Sequence, residues 1–156
     1  MLEIGNIAPS FALPDADMKM ADLSRFQGKQ NVVIYFYPKD DTPGCTVEAI
    51  DFTNLSDEFA EAKTVVFGVS RDDCASHAAF RDKHGLVVTL LADTEGEVCK
   101  KYGVWQEKEK DGIKKWGILR STFVIDKAGK IRLASYGVNP KGHAAEVLKF
   151  VNGLDR

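Results

Sequence analysis

No apolar run in this sequence approaches the ~20 residues that a membrane-spanning helix needs. The first residues carry no basic-then-apolar leader pattern either, so no membrane association is expected and the expected compartment is the cytoplasm. Positive charge is not in excess: 21 Lys and Arg against 23 Asp and Glu leave a formal net charge of −2, and there is no basic footprint for a nucleic acid. Cysteine is scarce and odd in number, at Cys45, Cys74 and Cys99, which excludes a secreted disulfide framework and suits a reducing environment. Three scattered histidines add no metal-ligand spacing to these cysteines, so neither a metal nor another cofactor is expected. No internal repeat, low-complexity tract or linker divides the 156 residues, which read as one domain over 1–156.

What is present alternates in period. Apolar, β-rich runs occupy residues 32–37, 64–69 and 87–91. Between them, Val47, Ile50, Leu55 and Phe59 recur at a roughly helical spacing over 45–62, and a second helix is expected over 73–84, stopped by Gly85. A third should run over 93–102 and close at Gly103. The N-terminal residues read as an extended arm or hairpin turning at Pro14-Asp15-Ala16-Asp17, with a returning strand at 18–20. Asp111-Gly112, inside the charged stretch 107–115, marks a hairpin or protruding loop. Strands at 119–126 and 131–136 around a tight turn, then an amphipathic helix over 142–151, complete an α/β pattern. The strands at 32–37 and 64–69 should be parallel neighbours with a right-handed crossover. Reacting groups collect at the carboxyl ends of such strands, where Cys45 and Cys74 both fall.

The stretch Tyr35-Phe36-Tyr37-Pro38-Lys39-Asp40-Asp41-Thr42-Pro43-Gly44-Cys45 ends a strand at a proline and opens a helix at a cysteine. A cysteine there lies over the unsatisfied N–H groups of the first turn, at the positive end of the helix dipole, which favours the nucleophilic thiolate. Glu48 stands where a Cys-x-x-Cys motif would carry its second cysteine, so dithiol exchange within that motif is unavailable. No arginine follows within residues 45–51, as a cysteine phosphatase loop would require. His77, His84 and His143 fall in or beside helices and are expected mainly at the surface, not as a protease base.

Pro38-x-x-x-Thr42-x-x-Cys45, together with Arg120-Ser121-Thr122-Phe123-Val124-Ile125-Asp126, resembles the peroxiredoxins. The fuller match, to the bacterioferritin-comigratory or PrxQ branch, adds Thr46-x-Glu48-Ala49, Gly68-Val69-Ser70, Lys101-Tyr102-Gly103-Val104-Trp105 and Gly142-His143-Ala144-x-Glu146-Val147-Leu148. The resemblance implies a thioredoxin fold with an N-terminal extension, its central mixed β-sheet flanked by helices. It implies thiol-dependent reduction of hydrogen peroxide and organic hydroperoxides through a sulfenic acid at Cys45, in antioxidant defence. Arg120 would supply the fixed cation, Thr42 would orient the peroxide through its hydroxyl, and Pro38 would shield the thiolate. Glu48 would accept from Arg120, or simply place favourable charge at a helix N-terminus. The implied reductant is thioredoxin, glutaredoxin or a small thiol, and the implied assembly a monomer or a dimer.

The chain departs from that branch at its second cysteine. Many relatives carry a resolving cysteine five residues after the first, where this chain has Ile50; others carry it in the following helix, near Arg81. A one-cysteine mechanism completed by an outside thiol is therefore favoured, with an internal Cys45–Cys74 disulfide as competitor and Cys99 a poorer resolver in a core position. A redox sensor oxidised once by peroxide would use the same residues and differ only in turnover. Trp105 and Trp116 read equally as core and as walls of an apolar approach.

Overall fold

Residues 1–154 are described by a computed structural model. The chain opens with a short antiparallel hairpin, β1 (Ala12–Pro14) and β2 (Met20–Asp22). Its return strand begins at Met20, later than the expected 18–20, because the Asp15 carboxylate accepts from the Asp17 and Lys19 amides and holds the turn open that far. A 3-10 turn, Leu23–Phe26, capped by Asp22, leads to β3 (Asn31–Phe36).

Every residue of β3 is buried, Asn31 included, as the apolar run that starts at Val32 requires of a central strand covered on both faces. It pairs in parallel with β4 (Thr64–Ser70), which pairs in parallel with β5 (Thr89–Ala92). The hairpin β6 (Trp105–Lys110) and β7 (Ile113–Ile118) stands apart as its own two-stranded sheet. On the other side of β3 lie β8 (Ser121–Ile125), antiparallel to it, and then β9 (Ile131–Tyr136). The five-stranded order is β5-β4-β3-β8-β9, the mixed α/β sheet expected.

The helices are α1 (Pro43–Asn54), α2 (Ser56–Glu61), α3 (Cys74–His84), α4 (Glu97–Lys101) and α5 (His143–Asn152). Two differ from the periodicity. The single helix expected over 45–62 starts earlier, at Pro43, and is interrupted at Leu55, whose ψ of 9° leaves the helical range while its amide is shared among carbonyls of the preceding turn. The helix expected over 93–102 shrinks to five residues, because the Asp93 carboxylate accepts from the Val98 and Cys99 amides and Gly96, at φ +73°, sets the start. Asp111 and Gly112, both at positive φ, make the predicted tight turn between β6 and β7.

Side chains alternate across β3 into two cores. Val32, Ile34 and Phe36 pack with β1, α4 and Tyr102 on one face. Val33, Tyr35 and Tyr37 pack with Cys45, Phe52, Phe59, Phe80 and Val147, from α1, α2, α3 and α5, on the other. Among the described residues no helix is long and apolar enough to cross a membrane.

Candidate active site

β3 stops pairing with β4 at Tyr37, whose amide still reaches the Val69 carbonyl; Pro38 follows, exposed and without an N–H to continue the ladder. Thr42 is the N-cap of α1, and Pro43 takes a first-turn position where its missing donor costs nothing. The Thr42 hydroxyl makes no cap bond: it donates to the Lys39 carbonyl at 2.9 Å, so its lone pairs stay available as acceptors. Cys45, in the first turn of α1, is 1% exposed.

Arg120, just before β8, reaches Cys45 from 75 positions away. Its Nη2 donates to Cys45 Sγ at 3.2 Å and its Nη1 to Glu48 Oε1 at 2.7 Å. Cys45 and Glu48, at i and i+3, share one face of α1, so a single planar guanidinium serves both. Gly44 makes that approach possible: a β-carbon there would stand 3.2 Å from Arg120 Nη2 and 3.3 Å from Pro140 Cγ. The Arg120 cation at the sulfur, with Cys45 in the first turn of α1, favours negative charge there.

Glu48 is fully buried, and burial pushes its carboxyl up to about 7 although Arg120 pulls the other way. Its Oε2 and the nearby Tyr35 hydroxyl are buried without a hydrogen-bond partner among the described residues. The phenol of Tyr35 is held well above its usual range by burial and then by the negative charges of Glu48 and Cys45.

Behind the loop lies a polar network that sequence reasoning missed. Asp40 Oδ1 accepts from the Tyr37 hydroxyl at 2.5 Å, and Oδ2 from Ser76 at 2.8 Å and His77 Nδ1 at 2.7 Å. His77 Nε2 faces the Leu91 carbonyl at 2.9 Å. Next to it, Asp41 accepts from Lys83 at 2.6 Å and His84 at 2.8 Å. Two consecutive aspartates therefore tie the 38–42 loop to α3. The expectation that the histidines sit mainly at the surface is corrected: His77 is 0% and His143 7% exposed, the latter bonded through Nε2 to Thr122 Oγ1 at 2.8 Å. Burial lowers the His143 pKa. The spacing His77, Phe80, His84 at i, i+3, i+7 was the available signal that this α3 face turns inward.

The other cysteines lie elsewhere. Cys74 opens α3 at the same sheet edge as Cys45, as its position after β4 implied, and is half-buried. It lines a cleft of about 560 Å³ with Phe11, Leu13, Ala92 and Val98, on the face of the sheet opposite to the Cys45 core. Cys99 is fully buried, its thiol pushed far up by burial and the Asp93 carboxylate. All three are free. Trp105 is half-buried beneath the Arg71 guanidinium at 4.6 Å, and Trp116 is 60% exposed.

Residues 4–134 match the AhpC/TSA family. The chain is 44% identical over 147 residues to a Coxiella burnetii protein named putative peroxiredoxin bcp, covering 94% of this chain and 97% of that one. It is 43% identical over 153 residues to the Bacillus subtilis peroxiredoxin Bcp, with coverage of 98% and 97%. Among solved structures, Xylella fastidiosa PrxQ superposes with a TM-score of 0.92 at 34% identity, covering 100% of this chain and 99% of that one. A Xanthomonas campestris bacterioferritin comigratory protein, described for its alkyl peroxide reduction activity, superposes with a TM-score of 0.90 at 35% identity and the same coverage. The chain belongs to the AhpC/TSA family, as a thioredoxin-fold peroxiredoxin of the bacterioferritin-comigratory branch that reduces peroxides with a thiol.

Proposed function

We propose that Cys45 is the peroxidatic nucleophile and that the enzyme works with this one cysteine, reducing hydrogen peroxide and organic hydroperoxides at the expense of an outside thiol. The observation that carries the reading is the Arg120 Nη2 contact with Cys45 Sγ at 3.2 Å, which no inert core cysteine needs. The thiolate attacks the terminal peroxide oxygen and becomes a sulfenic acid while alkoxide or hydroxide departs. Arg120 holds charge on sulfur and then on the peroxide oxygens. Thr42, with its hydroxyl hydrogen committed to the Lys39 carbonyl, accepts the peroxide hydrogen and aims the O–O bond. Pro38, which follows β3, shields the thiolate from bulk water in this proposal.

Support for the one-cysteine route comes from Ile50 and Arg81 in the places where relatives keep a resolver, from the burial of Cys99, and from the separate cleft into which Cys74 opens. The reductant in this proposal is thioredoxin, glutaredoxin or a small thiol, and the protein is a cytoplasmic monomer or dimer. The alkyl peroxide reduction described for the Xanthomonas campestris relative supports organic hydroperoxides as substrates.

The test is the intact mass of reduced protein after one equivalent of hydrogen peroxide, with dimedone in a parallel sample. Addition of one oxygen, trapped by dimedone at Cys45, is expected. Loss of two hydrogens with a Cys45–Cys74 peptide on digestion would establish the internal disulfide instead. Continuous peroxide consumption with a thiol present separates an enzyme from a sensor that reacts once.

A further inference from the structure

The β6–β7 hairpin is charged along its length, and Glu107, Glu109, Lys110, Lys114 and Lys115 are all exposed. Lys108 is drawn inward. Its Nζ donates to the main-chain carbonyl of Ile118, and its stem lies over Gly117, where a β-carbon would come within 3.9 Å of Cδ, Cε and Nζ. Ile118 is two residues before Arg120, so this bond brings a second cation to the segment that carries Arg120. Lys108 lies within electrostatic reach of both Arg120 and Cys45. Among the described residues no carboxylate forms an ion pair with it. An ammonium has three donors, and the Ile118 carbonyl accounts for one.

A part-buried ammonium with no carboxylate partner among the described residues needs a reason, since burial without a counter-charge is unfavourable. The reaction supplies one. Attack by the Cys45 thiolate leaves an alkoxide or hydroxide, a strong base, and Arg120 is a poor source of a proton because a guanidinium keeps its own. We propose that Lys108 is a further catalytic residue, the proton donor to the oxygen that leaves when Cys45 opens the peroxide O–O bond. The inference rests on Cys45 as the nucleophile. The Cys45 sulfur, oxidised, forms an S–O bond to the terminal oxygen, which keeps its hydrogen as the sulfenic OH. The O–O bond breaks, its electron pair goes to the reduced leaving oxygen, and that oxygen takes a proton from Lys108 to leave as alcohol or water. Solvent then returns a proton to Lys108. Burial and Arg120 both lower the affinity of Lys108 for its proton, with the Cys45 charge opposing.

The test compares leaving groups. Rapid-mixing rates of Cys45 sulfenic acid formation are measured with tert-butyl hydroperoxide, whose leaving alkoxide needs a proton, and with peracetic acid, whose leaving acetate does not. In Lys108→Met the first rate should fall by about tenfold to a hundredfold while the second stays within about threefold of wild type. Lys108→Arg, which keeps the charge but not a transferable proton, should resemble Lys108→Met with tert-butyl hydroperoxide. Lys115→Met, at the paired exposed position across the hairpin, should match wild type with both. Equal losses with both oxidants in Lys108→Met, no loss with either, or wild-type rates in Lys108→Arg would each overturn proton donation. Absence of sulfenic acid at Cys45 in the wild type would instead remove the nucleophile assignment, whatever Lys108 does.

Discussion

Arg120 Nη2 lies 3.2 Å from Cys45 Sγ while Nη1 of the same guanidinium holds Glu48 at 2.7 Å, so one side chain joins the reactive sulfur to a buried carboxyl. The charge available to sulfur therefore depends on the protonation of Glu48.

Removing the guanidinium should be costly to the reaction, and it also takes from the buried Glu48 its cation. Arg120→Ala is expected to slow sulfenic acid formation by about 10²–10³-fold, the loss typical of one preorganised charge-stabilising donor. Arg120→Lys, unable to bridge two partners in one plane, should recover only part of it. Stopped-flow oxidation rates at fixed pH check both, and an unchanged rate in Arg120→Ala would remove its catalytic role.

Cys45→Ser should abolish peroxide consumption, whereas Cys74→Ser and Cys99→Ser should keep it with an outside thiol. Loss of turnover in Cys74→Ser alone, with peroxide and thiol in excess, would restore Cys74 as resolver.

Glu48 predicts a pH dependence of stability with a definite sign. Its folded pKa, about 7, lies above the ordinary 4.5, so the folded state binds more protons between those values. Stability from this group is thus fully present below pH 4.5 and lost as pH rises to 7, by about 3 kcal/mol at most. Urea unfolding of wild type and Glu48→Gln across pH 5–8 should show that slope in the wild type and its absence in the variant.

Gly44→Ala should leave secondary structure intact yet displace Arg120, because the new β-carbon meets its Nη2 at 3.2 Å and Pro140 at 3.3 Å. Oxidation should slow without a matching fall in melting temperature, and rates with melting curves on one preparation decide it.

His77→Leu should destabilise the protein by about 1–3 kcal/mol, since it takes one of three side-chain donors from the buried Asp40 carboxyl. Denaturant titration measures this.

The order of elements was legible in the sequence because its signals are local: the apolar runs at 32–37 and 64–69, and the cap and Gly85 stop around 73–84, each belong to one element. Cys45 was legible for the same reason, since Pro43-Gly44 before it and the strand behind it lie within a few residues. Arg120 could be marked only through resemblance, as nothing near it in sequence distinguishes it from a surface arginine. That its two nitrogens divide between Cys45 and Glu48 depends on the β3–β8 pairing, which carries residue 120 to α1. Likewise the burial of His77, the face onto which Cys74 opens and the inward turn of Lys108 were decided by which elements pack together. These are contacts between residues tens of positions apart, and no local period encodes them.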